Sequence, residues 1–99
     1  MKFYTWRQNN SGGSFEPPAA FVSIQATSLR DARKRAKALG LYFDGEGDCP
    51  TCGDRWHEDP AEIADAPLIY DEPVAKVASE SLGRTWLVVY LDGRMEHGS

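Results

Sequence analysis

The sequence has no long hydrophobic run, only two cysteines and only two histidines. No apolar stretch approaches the roughly 20 residues that a membrane-spanning helix needs, so no contact with a membrane is expected. The opening residues 1–7 are too polar for a signal peptide. Two cysteines separated by two residues are a poor disulfide framework, which favours a reducing cytoplasm as the compartment.

Catalytic and nucleotide-binding fingerprints are also missing from the chain. It has no Gly-x-Ser-x-Gly, Walker or dinucleotide motif, and Gly12-Gly13 is too short and is not followed by a helix. Glu58 would be a base beside a metal held by the cysteines, but a hydrolase is disfavoured because no second ligand cluster exists. The sequence therefore predicts a protein that acts by binding and is not an enzyme.

Size and charge limit the fold and the choice of partners. A chain of 99 residues with 41% hydrophobic residues predicts a single domain, residues 1–99, with a modest core. Such a domain gains from a metal ion or from a second subunit, so a homo-oligomer is compatible with this size. The net charge of −4 hides a basic part, residues 1–43, and an acidic part, residues 44–72. This separation of charge makes the molecule a dipole. It argues against a nucleic acid as the partner, because nucleic-acid binding requires a continuous basic face.

Periodicity predicts two strands followed by one helix in the first part of the chain. Residues 2–7 and 20–26 alternate in the manner of strands and are separated by a polar, turn-rich loop. Thr27 or Ser28 is the predicted cap of a helix whose apolar stripe contains Leu29, Ala32, Ala36 and Leu39. Gly40 follows at the position of a C-terminal cap.

The second part of the chain contains an irregular segment and a strand pair. Residues 59–67 are bracketed by prolines and predict at most one short turn. Residues 85–91 are the strongest strand, and Asp92-Gly93 predicts a hairpin that returns as a short edge strand over residues 94–97. The predicted fold is α+β: a small antiparallel sheet in the order β-β-α-knuckle-β-β, one helix packed on it, and an irregular cysteine-containing loop.

The segment Cys49-Pro50-Thr51-Cys52-Gly53, here called the knuckle, contains both cysteines. Two thiolates at this spacing bind one tetrahedral ion, and His57 and His97 complete a set of four ligands for a structural zinc. Asp48, Asp54 or a second subunit are alternative sources of the missing ligands. Two other interpretations stay open, a redox dithiol and a pair of reduced cysteines without metal, because a single half-site is weaker evidence than two.

Two further surfaces are candidates for binding. The corner formed by the first strand and its loop combines an aromatic ring with amide and backbone N–H groups, which suits a small planar or phosphorylated ligand. Its residues are Trp6, Arg7, Asn9, Asn10, Gly12 and Gly13. The helix carries Arg30, Arg33, Lys34 and Lys37. This basic side suits an acidic protein or, less well, nucleic acid. An ordinary hairpin tip and an ordinary solvated helix face are the alternatives.

Three segments resemble a family of small uncharacterised proteins of tailed bacteriophages. They are MKFYTWRQNNSGGSF at residues 1–15, the end of the helix and its exit at residues 32–45, and DCPTCGDRW at residues 48–56. The resemblance implies a phage accessory protein in the cytoplasm of the bacterial host, with no established chemistry. Phage proteins of this kind often bind a host protein or neutralise a host defence.

The expected partner is therefore a host or host-defence protein. A protein that sequesters a small nucleotide-like ligand is the first alternative. A zinc-containing nucleic-acid module is the second.

Overall fold

The computed structural model describes residues 1–7, 19–41, 56, 59–79 and 85–98. Within these ranges a five-stranded sheet has the order β3-β1-β2-β6-β7, and a second sheet pairs β4 with β5. The elements are β1 (Lys2–Arg7), β2 (Phe21–Ala26), α1 (Leu29–Ala38), β3 (Glu62–Ala64), β4 (Leu68–Ile69), β5 (Glu72–Pro73), α2 (Val74–Ser79), β6 (Trp86–Val89) and β7 (Met95–Gly98). The predicted α+β class is confirmed. Neither α1 nor α2, the helices of the described part, has the length and apolarity needed to cross a membrane.

Helix α1 begins and ends where local sequence signals place it. The Ser28 hydroxyl oxygen accepts the backbone N–H of Asp31 at 3.1 Å, which satisfies one of the unpaired donors of the first turn. Gly40 follows the helix with a φ of +108°, a conformation that favours glycine. Ala32 and Ala36 are fully buried, so their small side chains bring the helix close to the sheet.

The three central strands of the five-stranded sheet, β1, β2 and β6, are mostly buried on both faces. Strand residues alternate between the two faces, and each face has its own apolar cluster. The α1 face packs against α1, and its buried strand residues are Tyr4, Trp6, Val22, Ile24, Ala26, Leu87 and Val89. The α2 face packs against α2 and β4, and its buried strand residues in the cluster are Phe3, Phe21 and Val88. This two-sided burial gives a three-layer arrangement in which the sheet lies in the middle.

One strand pair departs from the predicted antiparallel sheet. Strands β2 and β6 are parallel, with Phe21 opposite Trp86 and Ile24 opposite Val89. The chain between them passes through both helices and three short strands, and such a crossover returns it to the end of the sheet where β2 began. The other three pairs of the five-stranded sheet are antiparallel.

The prediction of a short turn over residues 59–67 is wrong, because this segment contains β3. Its Ile63 lies opposite Tyr4, so pairing with the edge of β1 stabilises a strand that its own sequence favours weakly. The β4–β5 hairpin and α2 are additional elements. Tyr70 and Asp71 join β4 to β5 with φ of 55° and 63°. These angles belong to a turn in which Asn-Gly is usual, so the turn residues do not predict this hairpin.

Candidate binding surfaces

Three cations form a line along the outward side of α1. Arg30, Lys34 and Lys37 are exposed and follow one another at spacings of four and three residues, which places them on one side of the helix. Ala32 and Ala36 are buried against the sheet on the opposite side. The three cations are called the basic stripe below.

The other two cations of α1 contact carboxylates. The Arg33 guanidinium donates to Asp59 at 2.9 Å, and that of Arg35 donates to Asp31 at 3.0 Å. The Arg35 guanidinium holds the pKa of Asp31 below its usual value, so this carboxylate is charged at neutral pH. Within the described part of the chain, no ion pair includes a member of the basic stripe. The stripe is therefore the part of α1 that can attract an acidic partner.

A second candidate surface surrounds Tyr90, at the turn end of the β6–β7 hairpin. Its hydroxyl donates a hydrogen bond to the Glu96 carboxylate. The Arg94 guanidinium carbon lies 4.2 Å from the centre of the ring, and Phe3 meets the ring edge-on with 5.8 Å between centroids. The hydrogen bond to Glu96 and partial burial raise the pKa of Tyr90, so the phenol stays protonated and serves as a donor.

Tyr90 lines two cavities. The apolar slot has a volume of about 140 Å³ and is lined by Pro67, Pro73, Val74, Ala75, Trp86, Val88, Tyr90 and Glu96. The open cavity has a volume of about 310 Å³ and is lined by Met1, Gln25, Tyr90, Leu91, Asp92 and Arg94. Among the described residues that line the apolar slot, Glu96 is the one that is charged, whereas the open cavity carries charges of both signs.

The aromatic ring expected in the predicted ligand corner is not exposed. Trp6 is 1% exposed and packs within the α1-face core, so it is a core residue and not a stacking surface. The reason is that Trp6 and Tyr4 lie on the same face of β1, and this face packs in the cluster that contains the buried residues of α1 together with Leu41 and Trp56. Arg7 is exposed at the end of β1. The remaining residues of the corner, Asn9, Asn10, Gly12 and Gly13, lie outside the described residues.

One of the four predicted zinc ligands lies in the described ranges. His97 is exposed on β7, opposite Leu87 of β6, and therefore lies on the α1 face of the sheet. Cys49, Cys52 and His57 are outside the described residues. Within the described residues, no group of three or more His, Cys, Asp or Glu side chains is placed to hold a metal ion.

Trp56, which directly precedes His57 in the chain, is buried in the α1-face core. Its indole Nε1 has no hydrogen-bond partner among the described residues, although the side chain is only 1% exposed. A buried donor without an acceptor is costly in free energy. Because Trp56 is buried in this core, the residue that precedes His57 lies on the same face of the sheet as His97.

The cavities beside Tyr90 are the feature that sequence reasoning does not identify. The hairpin is predicted, and its alternation places Tyr90, Arg94 and Glu96 on one face. The other wall of the apolar slot comes from Pro67, Pro73 and α2, which are distant in sequence. No local pattern indicates that these two segments meet.

These features define a small mixed α+β domain with an exposed basic stripe on one side and two cavities beside a hairpin on the other. The chain belongs to a family of domains of unknown function, DUF7296, whose model matches residues 1–98. No match was found among curated proteins or among solved structures.

Proposed function

We propose that this domain is a non-enzymatic bacteriophage accessory protein that binds an acidic surface of a host or host-defence protein in the bacterial cytoplasm. The observation that carries the proposal is the basic stripe, whose three cations are exposed and have no ion-pair partner among the described residues. The similarity of three sequence segments to proteins of tailed phages supports the host setting.

Electrostatics favour an acidic protein surface over nucleic acid. The stripe spans about 10 Å at the helical rise of roughly 1.5 Å per residue, which is close to the screening length of about 8 Å at physiological salt. Its cations therefore act together on a surface in direct contact but only weakly at longer range. The chain as a whole has a net charge of −4, which repels an extended polyanion such as DNA or RNA. A compact acidic patch meets the stripe without this penalty.

Reversing two charges of the stripe tests this proposal. We expect immobilised native protein to retain an acidic host protein from a bacterial lysate and to release it when the salt concentration is raised. Lys34→Glu combined with Lys37→Glu should reduce the retained amount at least tenfold. This reduction corresponds to a loss of about 1.4 kcal/mol or more in the free energy of binding. Quantitative mass spectrometry of the eluted proteins measures the effect.

The matched control is Lys2→Glu combined with Lys76→Glu, which changes the net charge by the same amount. Lys2 and Lys76 are exposed and pair with Asp65 and Glu72, away from α1. Equal loss in both double variants would mean that net charge and not the stripe controls binding. A stripe-dependent shift of a DNA or RNA oligonucleotide, without retention of an acidic protein, would favour the nucleic-acid alternative.

Structural zinc at the knuckle is a second part of the proposal. Cys49 and Cys52 are the proposed thiolate ligands, and His57 and His97 are the proposed imidazole ligands. The burial of Trp56 in the α1-face core and the position of His97 on the same face support this set. Such an ion would stabilise a small domain in the way that a disulfide does in secreted proteins.

Elemental analysis of purified protein tests the zinc proposal. We expect one zinc ion for each chain of the native protein and none after Cys49→Ser, because the loss of one thiolate opens a four-ligand site. Cys49→Ser should also lower the melting temperature, and added zinc should not restore it. A native protein that is purified without chelators and contains no zinc would contradict the proposal and leave the two cysteines without a metal.

A further inference from the structure

Strand β7 has an outer edge that no described strand covers. The Tyr90 N–H donates to the Arg94 carbonyl at 2.8 Å, so these two residues form a hydrogen-bonded pair of the β6–β7 ladder. Pair types alternate along an antiparallel ladder, so the backbone of Glu96 also faces β6. The N–H and C=O groups of Met95 and His97 therefore point outward, on the side where no strand of the described residues pairs with them.

The apolar slot includes Glu96 of β7 in its lining, and its other walls belong to β6, α2 and the segments before them. Its volume of about 140 Å³ is similar to that of a cavity of roughly 150 Å³ that holds one benzene ring. Trp86 forms one wall and lies close against Gly98, where an added Cβ would come within 2.6 Å of the indole Nε1. Tyr90 forms another wall and is positioned by its hydrogen bond to Glu96. A ligand would thus meet walls that are already in place, which lowers the entropic cost of binding.

Glu96 gives the slot a charge preference. It is the one charged residue in the described lining of the slot, and it is exposed on β7. A strand added to β7 would place the residue opposite Glu96 on the same face of the sheet, within reach of the carboxylate. A basic side chain at that position would be stabilised, and an acidic one would be repelled.

We infer that the outer edge of β7 and the apolar slot together bind an extended segment of a partner protein. The segment pairs with Met95 and His97 through its backbone and places an aromatic side chain in the slot. A basic residue two positions from this side chain contacts Glu96, because alternate residues of a strand share one face. The mode is strand addition to a sheet edge, in which backbone bonds give affinity and the pocket gives specificity. This site lies on the α2 face, so it is independent of the basic stripe.

Three short peptides test the inference with the isotopically labelled full chain. The probe is acetyl-Lys-Val-Phe-Val-Lys-amide, in which both lysines and the phenylalanine lie on one face of an extended strand. The second peptide has glutamate in place of lysine, and the third has alanine in place of phenylalanine. We expect the probe to shift the amide signals of Met95 and His97 and the indole signal of Trp86 in two-dimensional NMR spectra. The second and third peptides should bind at least fivefold more weakly.

A pair of charge-matched variants separates the role of Glu96 from general electrostatics. Glu96→Gln keeps an acceptor for the Tyr90 hydroxyl and should reduce affinity for the probe about two- to fivefold, as expected for one exposed ion pair. Asp65→Asn, at the opposite end of the sheet, should leave the affinity unchanged. The inference is overturned if the probe shifts none of the three signals at millimolar concentration, or if the glutamate peptide binds equally well. Shifts of the Trp86 signal without shifts at Met95 and His97 would also overturn it, because they exclude strand pairing.

Discussion

Replacing Trp6 by alanine is expected to lower the free energy of unfolding by about 3–5 kcal/mol, the usual cost of truncating a large buried aromatic residue. The indole is 1% exposed and packs in the α1-face core, so its removal leaves a cavity within that core. Native domains have total stabilities of only about 5–15 kcal/mol, so the variant should be close to unfolding. Urea denaturation followed by circular dichroism measures the change.

The control for this experiment is Trp6→Phe, which keeps an apolar ring and most of the buried volume. We expect its cost to be clearly smaller, in the range of about 1–3 kcal/mol. A stable Trp6→Ala variant, unfolding at nearly the native urea concentration, would show that the indole does not belong to the core. The ligand corner predicted from the sequence would then regain its aromatic component.

The second large effect is expected at the buried hydroxyl pair of Thr5 and Ser23. Their oxygens are 2.8 Å apart, and both residues are fully buried between β1 and β2. Ser23→Ala alone removes the partner of Thr5 and should lower the free energy of unfolding by about 1–3 kcal/mol, because a buried polar group is then left without a hydrogen bond. Thr5→Val combined with Ser23→Ala should recover much of this loss, since both partners are then apolar.

A double-mutant cycle provides the measurement for the pair. The four proteins of the cycle are the native chain, the two single variants and the double variant, each unfolded by urea. Coupling between contacting residues usually amounts to about 0.5–3 kcal/mol, whereas independent sites are additive to within roughly 0.5 kcal/mol. If the losses of the two single variants add up to the loss of the double variant, the two hydroxyl groups are not coupled. The hydrogen bond between them would then not stabilise the fold.

Elements with signals inside their own sequence could be predicted. Helix α1 has a cap at Ser28, a buried stripe with Ala32 and Ala36, and Gly40 at its end, and all of these lie within about three turns. The β6–β7 hairpin is marked by Asp92-Gly93 between two alternating segments. Strand β3 and the parallel pairing of β2 with β6 have no such marks, because their stability comes from partners that are distant in sequence.

The candidate surfaces can also be separated into those that local sequence predicts and those that depend on segments distant in sequence. The basic stripe follows from the helical repeat, since Arg30, Lys34 and Lys37 occupy one side of any regular helix over these residues. Alternation in β1 correctly places Tyr4 and Trp6 on one face, but it does not show whether that face is exposed. Because helices cover both faces of the sheet, Trp6 is buried. The apolar slot needs β4, β5, α2 and the hairpin in their final positions, so spacing alone does not identify it.

The parallel pairing of β2 with β6 has a consequence during synthesis of the protein. Strand β2 is central in the sheet, yet one of its two neighbours consists of residues 86–89, which leave the ribosome late. Until then a nascent chain has an open edge beside Val22 and Ile24, and such edges are prone to aggregation. A premature stop before β6 is therefore expected to yield an insoluble fragment, because the sheet is completed only after translation of nearly the whole domain.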